Sequence, residues 1–123
     1  MVRDYCDLVI KARNSVYSTT ISQVVDFVDS HFEDELTLEL VSETFNMSQS
    51  FLSSRFHRET GMTFSEYLAR KRLEHAKLLL KSTEMTIGMI AEDCGIHDNN
   101  YFSRIFKKYE GLTPQEYRRK NRK

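Results

Sequence analysis

The sequence contains little proline and glycine, with one proline and four glycines among its 123 residues. Sheets joined by tight turns rely on both residue types, so we expect an all-α fold. The hydrophobic fraction of 40% is sufficient for a packed core. A chain of this length predicts one domain, or two small subdomains that share a core.

Long apolar runs and cysteine pairs are also scarce. No run of 18 apolar residues exists, so no membrane-spanning helix is expected. Asp4 and Asp7 lie where a signal peptide would have a basic region and an apolar core, so no signal peptide is expected. Cys6 and Cys94 are far apart in sequence, and Cys94 falls on an apolar helix face. This pattern predicts a buried, reduced thiol in a cytoplasmic protein rather than a disulfide.

The sequence has no net charge, because 18 basic and 18 acidic side chains balance. Their distribution is uneven: residues 1–60 have ten acidic and five basic side chains, whereas residues 61–123 have eight acidic and thirteen basic. A basic half favours a nucleic-acid partner. A solvated surface that ends in the basic tail Arg118–Lys123 explains the same counts, so charge alone leaves both interpretations open.

Motifs for catalysis or metal binding are absent from the sequence. We find no glycine-rich phosphate loop, no paired carboxylates in an apolar setting and no nucleophile beside a base. The four histidines show no metal-ligand spacing with a cysteine. The sequence therefore predicts no enzyme, no metal site and no cofactor.

Helical periodicity is the main positive signal in the first half of the chain. One predicted helix has its apolar face at Ile21, Val24, Val25, Val28 and Phe32. Thr37 then caps a short helix that ends at Asn46, a residue type that tolerates a left-handed backbone. Ser48 caps a longer helix that ends at Gly61. Residues 19–62 are thus predicted to form a helix-turn-helix subdomain.

A second helix-turn-helix subdomain is predicted over residues 83–123. Its short helix Ile87–Cys94 ends at Gly95, where a left-handed residue is needed, and Asp98 caps the next helix. The polar face of that next helix carries Asn99, Asn100, Ser103, Arg104, Lys107 and Lys108. Such a face suits a DNA groove, because asparagine pairs with adenine edges, arginine with guanine edges and lysine with phosphates.

The two subdomains are predicted to be copies of one another. Ser42 and Asn46 match Ala91 and Gly95 at an offset of 49 residues. At an offset of 50 the matches are Leu52 and Phe102, Phe56 and Phe106, Gly61 and Gly111, Thr63 and Thr113, Glu66 and Glu116, and Tyr67 and Tyr117. A one-residue insertion at His97 explains the change of offset, so we infer an internal repeat.

Residues 63–82 between the copies predict one continuous linker helix, since they lack glycine and proline and are rich in helix-forming residues. Thr63 and Glu66 are spaced for a capping box at its start. The nineteen residues Thr63–Lys81 of this helix span roughly 28 Å, and successive major-groove faces of DNA repeat every ~34 Å. A rigid linker plus the width of a subdomain therefore predicts two recognition helices in successive grooves of one asymmetric site.

Signature residues recur in both subdomains. In the second they are Ile90, Ala91, Gly95, Asp98, Tyr101, Phe102, Ser103, Arg104, Phe106, Lys107, Lys108, Gly111, Thr113, Pro114, Tyr117 and Arg118. In the first they are Leu38, Ser48, Leu52, Phe56, Glu59, Thr60, Gly61, Tyr67, Leu68, Arg72, Leu73 and Ala76. Together they resemble AraC/XylS-type transcription regulators over about residues 20–120. The resemblance implies a seven-helix domain that binds promoter DNA.

The resemblance also implies partners. Family members usually activate transcription through contacts with RNA polymerase. In many of them this domain is the C-terminal output of a longer chain. Residues 1–18, whose apolar pattern is weak, are therefore expected to be an N-terminal segment or a linker from an upstream sensory or receiver domain.

The resemblance places DNA contacts on both recognition helices. In the second helix they fall on Asn99, Asn100, Ser103 and Arg104, with Lys107 and Lys108 nearer to the DNA backbone. In the first helix the base-reading positions fall on Ser50, Ser53 and Ser54, and we add Gln49, Arg55 and His57 of the same helix as candidate contacts. Small hydroxyls discriminate bases weakly. We therefore expect the second subdomain to supply most of the sequence discrimination and the first mainly to position the protein.

Three of these contacts have alternative interpretations. Arg55 stands where the family usually has an apolar residue, so it either reaches DNA through a small rotation of the helix or extends from the subdomain edge. His57 matches Lys107 and either touches a phosphate or remains in solvent. Arg104 alternatively pairs with the adjacent acidic pair Glu92–Asp93.

Most large apolar residues are expected in the core. The aromatic ones are Phe51, Phe56, Tyr101, Phe102, Phe106 and Tyr117. The methionines expected to fill gaps are Met47, Met62, Met85 and Met89. The alternative to a DNA-binding regulator is a helical protein-interaction module that keeps the helix-turn-helix shape, because a net charge of zero does not require a nucleic-acid partner.

Overall fold

The computed structural model describes residues 17–122, so Cys6 and most of the expected N-terminal linker lie outside the described residues. Residues 17–122 form seven helices and no strand, which confirms the predicted all-α, seven-helix fold. In chain order the helices are α1 (Thr19–His31), α2 (Leu38–Thr44), α3 (Gln49–Thr60), α4 (Phe64–Ser82), α5 (Ile87–Asp93), α6 (Asn99–Glu110) and α7 (Pro114–Lys120). None of these seven helices has the length and apolar character needed to cross a bilayer.

The helices group into two compact units. The first unit contains the described residues up to His31 together with Leu36–Glu66. The second contains Phe32–Glu35 and the described residues from Tyr67 onward. The long helix α4 therefore contributes its first turn to the first unit and its remaining turns to the second.

The first unit is built on the apolar face of α1. The predicted residues Ile21, Val24, Val25 and Val28 are at most 1% exposed. Burying each such side chain stabilises the fold by roughly 1.5–3 kcal/mol. The prediction that Phe32 continues this face was wrong, because α1 ends at His31. The half-buried Phe32 ring instead contacts His75 edge-on in the second unit, with 5.4 Å between ring centroids.

The second unit has a core of aliphatic and aromatic residues from α4 to α6. Its buried members are Leu73, Ala76, Leu80, Ile90, Ala91, Cys94, Ile96, Phe102, Ile105 and Phe106. The centroid of the Phe106 ring lies 5.9 Å from the ring centroid of Phe102 and 5.5 Å from that of Tyr117. Met89, which was expected to fill the core, is 55% exposed. That prediction was wrong, because Met89 lies about 100° around the helix from the buried Ile90.

The internal repeat is confirmed by the helices themselves. Both short helices, α2 and α5, contain seven residues, and both recognition helices, α3 and α6, contain twelve. The helices after them, α4 and α7, begin with the same capping box, Thr63 with Glu66 and Thr113 with Glu116. The same local sequence signals therefore produce the same elements twice.

The turn between the short helix and the recognition helix shows where the inserted residue lies. Asn46 and Gly95 are left-handed, with φ of 56° and 90°. The next residues, Met47 and Ile96, donate backbone hydrogen bonds of 2.9 Å to equivalent carbonyls. The offset of 49 thus holds up to Ile96 and becomes 50 at the cap Asp98, which confirms His97 as the insertion.

Two arginines stabilise the chain at equivalent positions, and neither role was predicted. Arg72 donates to the carbonyls of Phe32 and Asp34, both at 2.8 Å, and burial lowers its pKa. Arg122, at an offset of 50, donates to the carbonyl of Thr83 at 2.9 Å. Arg122 therefore connects the basic C-terminal segment to the end of α4 instead of contributing a free surface charge.

Gly95→Ala is expected to destabilise the chain more than Gly61→Ala. Both positions have positive φ, 90° and 81°, so alanine costs about 1–2 kcal/mol at each. A Cβ at Gly95 would also lie 2.7 Å from the Glu33 carbonyl oxygen, whereas one at Gly61 would meet nothing within 4 Å. Overpacking should add about 1–3 kcal/mol to the loss at Gly95, measured as the free energy of unfolding in urea. Equal losses would contradict the close approach at this turn.

Cys94 is predicted to resist thiol reagents in the folded chain. Burial, reinforced by Asp93 and opposed by Arg72, raises the pKa of its thiol from 9.0 to about 12. Because the folded-state pKa is the higher one, the neutral thiol contributes stability below pH 9.0 that is lost as the pH rises toward about 12. In a Cys6→Ser variant at pH 8, labelling should proceed only as fast as the second unit opens. Rapid labelling without denaturant would contradict this.

Candidate nucleic-acid interface

The recognition helix α6 presents a polar face opposite its buried one. Asp98 caps the helix as predicted, by accepting hydrogen bonds from the backbone N–H groups of Asn100 at 2.9 Å and Tyr101 at 3.2 Å. Of the predicted DNA contacts, the exposed ones are Asn99, Asn100, Arg104, Lys107 and Lys108, and Ser103 is half-buried. The helix therefore offers amides, a hydroxyl and three cations on one surface.

Arg104 is available to bind a ligand. In the described part of the chain, no carboxylate forms an ion pair with its guanidinium. The two acids considered as its partners, Glu92 and Asp93, pair instead with His97 at 3.0 Å and His75 at 2.8 Å. The alternative in which Arg104 pairs with Glu92 or Asp93 is therefore wrong.

Asn99 lies where α5, α6 and α7 meet. Its side-chain amide rests against Gly88, since a Cβ built on Gly88 would be 3.1 Å from its Nδ2 atom. A groove of about 370 Å³ is lined by Asn99, Asn100 and Ser103, so the structure brings three predicted contacts together. Gln115, in the first turn of α7, also lines this groove and is a candidate contact that the sequence pattern did not reveal.

The recognition helix α3 exposes fewer strongly polar groups. Ser48 caps it by accepting a hydrogen bond of 3.0 Å from the Phe51 N–H, and its buried face consists of Leu52 and Phe56. The exposed predicted contacts are Gln49, Ser50, Ser53, Ser54 and His57. Most of these side chains are short hydroxyls, which donate to or accept from several kinds of partner.

Arg55 differs from the other predicted contacts of α3 because it already has a partner. Its Nε donates to Glu59 Oε2 at 2.7 Å, and Glu59 Oε1 accepts from the Ser18 backbone N–H at 2.7 Å. Burial raises the pKa of Glu59, but these hydrogen bonds outweigh it, so the pKa lies below its usual value. This arrangement favours the second interpretation of Arg55, in which it extends along the edge of the unit.

Arg58 is a candidate contact that the sequence-based prediction omitted. It is exposed, and it corresponds to Lys108 at the repeat offset of 50. Extending the repeat alignment by one position would have identified it. Together with His57, which matches Lys107, it gives the last turns of α3 a basic character similar to that of α6.

Two aromatic residues predicted in the core are exposed. Phe51 is 48% and Tyr101 is 44% exposed. They occupy equivalent positions of α3 and α6, each about 100° around the helix from the buried Leu52 or Phe102. The prediction was wrong because these residues lie on the flank of the buried face, where helical spacing does not determine burial.

Comparison with known proteins identifies the class of protein to which this chain belongs. Residues 41–120 match the family described as a helix-turn-helix domain. The uncharacterized HTH-type transcriptional regulator YijO of Escherichia coli K12 is 42% identical over 94 residues, which are 76% of this chain and 33% of YijO. The regulator YtdP of Bacillus subtilis 168, named in the same way, is 34% identical over 116 residues, which are 94% of this chain and 15% of YtdP.

A solved structure agrees with the fold. The C-terminal domain of AraT, a response regulator from Geobacillus stearothermophilus, is 39% identical and has a TM-score of 0.82, covering 84% of this chain and 86% of that one. The two helix-turn-helix units and the similarity to these relatives together define this chain as a DNA-binding domain of a transcription regulator. The chain belongs to the AraC-type helix-turn-helix family, as its signature residues implied. It spans a third or less of the length of YijO and YtdP.

Gly88→Ala is expected to separate stability from DNA affinity. Alanine favours a helix over glycine by about 0.5–1 kcal/mol, so the free energy of unfolding should not fall. The new Cβ would lie 3.1 Å from Asn99 Nδ2 and displace it. Affinity for a duplex selected from a random pool should fall about threefold to tenfold, as measured by fluorescence anisotropy.

Met89→Ala is the matched control for this variant, because Met89 is the next residue of α5 and is 55% exposed. It should leave the affinity unchanged. In an Asn99→Ala background, Gly88→Ala should have no further effect. An undiminished loss of affinity in that background would show that Gly88 does not act through Asn99.

Proposed function

We propose that this domain binds promoter DNA sequence-specifically and places α3 and α6 in successive major grooves of one asymmetric site. The observation that carries the proposal is the outward face of α6, where two amides and three cations are exposed and Arg104 has no acidic partner among the described residues. The equivalent face of α3 bears serine hydroxyls, His57 and Arg58. Since the two faces differ, the DNA half-sites that they contact differ too, and the whole site is not required to be a palindrome.

The two recognition helices are proposed to contribute unequally to specificity. An arginine that contacts guanine or an asparagine that contacts adenine with two hydrogen bonds provides about 1–3 kcal/mol of discrimination. Arg104 and Asn100 of α6 have this chemistry. The hydroxyls of Ser50 and Ser54 on α3 accept or donate single hydrogen bonds and discriminate less. We therefore assign most of the discrimination to α6 and most of the phosphate binding on α3 to His57 and Arg58.

We also propose that the domain is the output of a longer regulator, which activates transcription through contact with RNA polymerase. The related AraT domain is the C-terminal part of a response regulator, and this chain spans only 33% of YijO. Both facts support an upstream sensory or receiver domain that supplies the signal. Activation follows from the family resemblance, and transcription from a selected site by the full-length protein tests it.

Salt dependence distinguishes DNA binding from the alternative, a helical protein-interaction module. A complex that neutralises several phosphates weakens steeply as the salt concentration rises, because counterions are released on binding. A protein interface with an apolar centre responds far less. Selection of duplexes from a random pool, followed by a salt titration, therefore tests the proposed function directly. Failure to enrich any sequence, together with a flat salt response, would contradict it.

Arg104→Ala is expected to lower the affinity for the selected duplex by about 1–3 kcal/mol and to relax base preference at one position. Lys107→Ala should weaken binding to all sequences alike and lower the salt slope by about one. Lys81→Ala removes an exposed cation from α4, outside both recognition helices, and is the matched control. Anisotropy titrations against base-substituted duplexes at several salt concentrations measure the affinity, base preference and salt slope of all three variants.

Two results would contradict these assignments. An equal loss of affinity for every sequence in the Arg104→Ala variant would make Arg104 a phosphate contact. Larger penalties for base substitutions in the half-site of α3 than in that of α6 would overturn the unequal division between the helices.

A further inference from the structure

Phe51 is an exposed ring beside the outward face of the first recognition helix. The buried face of α3 is centred between Leu52 and Phe56. Ser54 points in the opposite direction, and Phe51 lies about 60° from it around the helix. The ring is 48% exposed in the first turn of α3. In a helix-turn-helix unit, the N-terminal residues of the recognition helix contact the base edges.

The Phe51 ring is supported by a series of polar contacts within the first unit. The guanidinium of Arg55 lies 5.4 Å from the ring centroid, which is a cation–π distance. Arg55 is itself fixed by Glu59, and Glu59 by the Ser18 backbone N–H, both at 2.7 Å. The ring is therefore preorganised, so that little conformational freedom is lost when a ligand covers its free side.

The equivalent ring in the second unit lacks this support. Tyr101 lies 5.5 Å from the guanidinium of Arg104, but no carboxylate in the described part of the chain fixes that arginine. Arg104 is thus free to leave the ring and bind DNA, whereas Arg55 remains against Phe51. The two repeats place an aromatic residue at the same position but use the adjacent arginine differently.

The chemistry of the major groove determines what a phenyl ring contacts there. The groove presents hydrogen-bond donors and acceptors, and its one apolar group is the C5-methyl of thymine. A phenyl ring makes no hydrogen bond, and it gains free energy when an apolar group displaces water from its surface. The hydroxyls of Ser50 and Ser54 beside it are able to satisfy the polar base edges.

We propose that Phe51 contacts the C5-methyl group of a thymine, so that the first recognition helix selects thymine at one position of its half-site. This inference rests on the proposed function, because it requires α3 to lie in a major groove. It also assigns α3 a specific apolar contribution in addition to its positioning role. Burial of one methyl group corresponds to about a threefold to fivefold change in affinity.

The test removes the methyl group from the DNA and the ring from the protein. Each thymine of the selected duplex is replaced in turn by deoxyuridine, which lacks only the C5-methyl and keeps the base pair. One replacement in the half-site of α3 should weaken binding about threefold to fivefold. Phe51→Ala should weaken binding to the unmodified duplex by at least this factor and remove the response to that replacement.

Two further variants act as controls. Phe51→Leu keeps an apolar side chain and should retain part of the response to deoxyuridine, which excludes unfolding as the cause of the loss. Leu78 of α4 is 57% exposed. Leu78→Ala therefore removes an exposed apolar side chain outside the recognition helices and should retain the whole response. The melting temperature of each variant should stay close to that of the parent, since both positions are partly hydrated.

Three results would overturn the inference while leaving the proposed function intact. The first is that no deoxyuridine replacement weakens binding, or that one weakens the parent and the Phe51→Ala variant equally. The second is that Phe51→Ala weakens binding to every sequence alike, which places the ring on the DNA backbone. The third is that Phe51→Ala binds DNA normally but loses transcription activation, which assigns the ring to a protein partner. Absence of any specific DNA binding by the parent would instead contradict the proposed function.

Discussion

The rest of each unit depends on one left-handed residue between the short helix and the recognition helix. Gly95 takes this conformation in the second unit, and the chain around it is close-packed, because a Cβ there would lie 2.7 Å from the carbonyl oxygen of Glu33. The reversal lets Ile96 donate a backbone hydrogen bond to Ala91 and bury its own side chain. The direction of α6, and hence the position of its polar face, follows from this turn.

Asn46 makes the same reversal in the first unit. The difference in residue type between Asn46 and Gly95 reflects the different steric restrictions at the two turns. Asn46 is exposed, so a side chain is accommodated and only the positive φ must be tolerated, which asparagine does better than most residues. Gly95 must satisfy both the backbone conformation and the close approach of a carbonyl oxygen. The difference between asparagine and glycine therefore reflects packing around the turn rather than a difference in helix geometry.

Local signals made most of the fold predictable, and the failures have physical reasons. Caps, left-handed residues and apolar spacing located the helices because they act within a few residues of one another. Arg72 and Arg122 bind backbone carbonyls 38 to 40 residues away. Because every residue has a backbone carbonyl, the sequence does not show which one accepts the hydrogen bond. Phe51 and Tyr101 lie on the flank of a helix, where burial depends on whether a neighbour covers that side. The candidate contacts on α6 were identified from residue type, whereas the partner of Arg55 required the structure.

The charge distribution illustrates why residue type alone is insufficient at the candidate interface. Arg55 and Arg104 are both arginines of recognition helices, and each lies about 5.5 Å from an aromatic ring. Arg55 is neutralised by Glu59, whereas Glu92 and Asp93, the acids considered as partners of Arg104, pair with His97 and His75. A repeated backbone thus carries one arginine that is paired within its own unit and one that has no acidic partner among the described residues. This difference in pairing, more than the number of cations, supports the proposal that the two helices contribute unequally to binding a duplex.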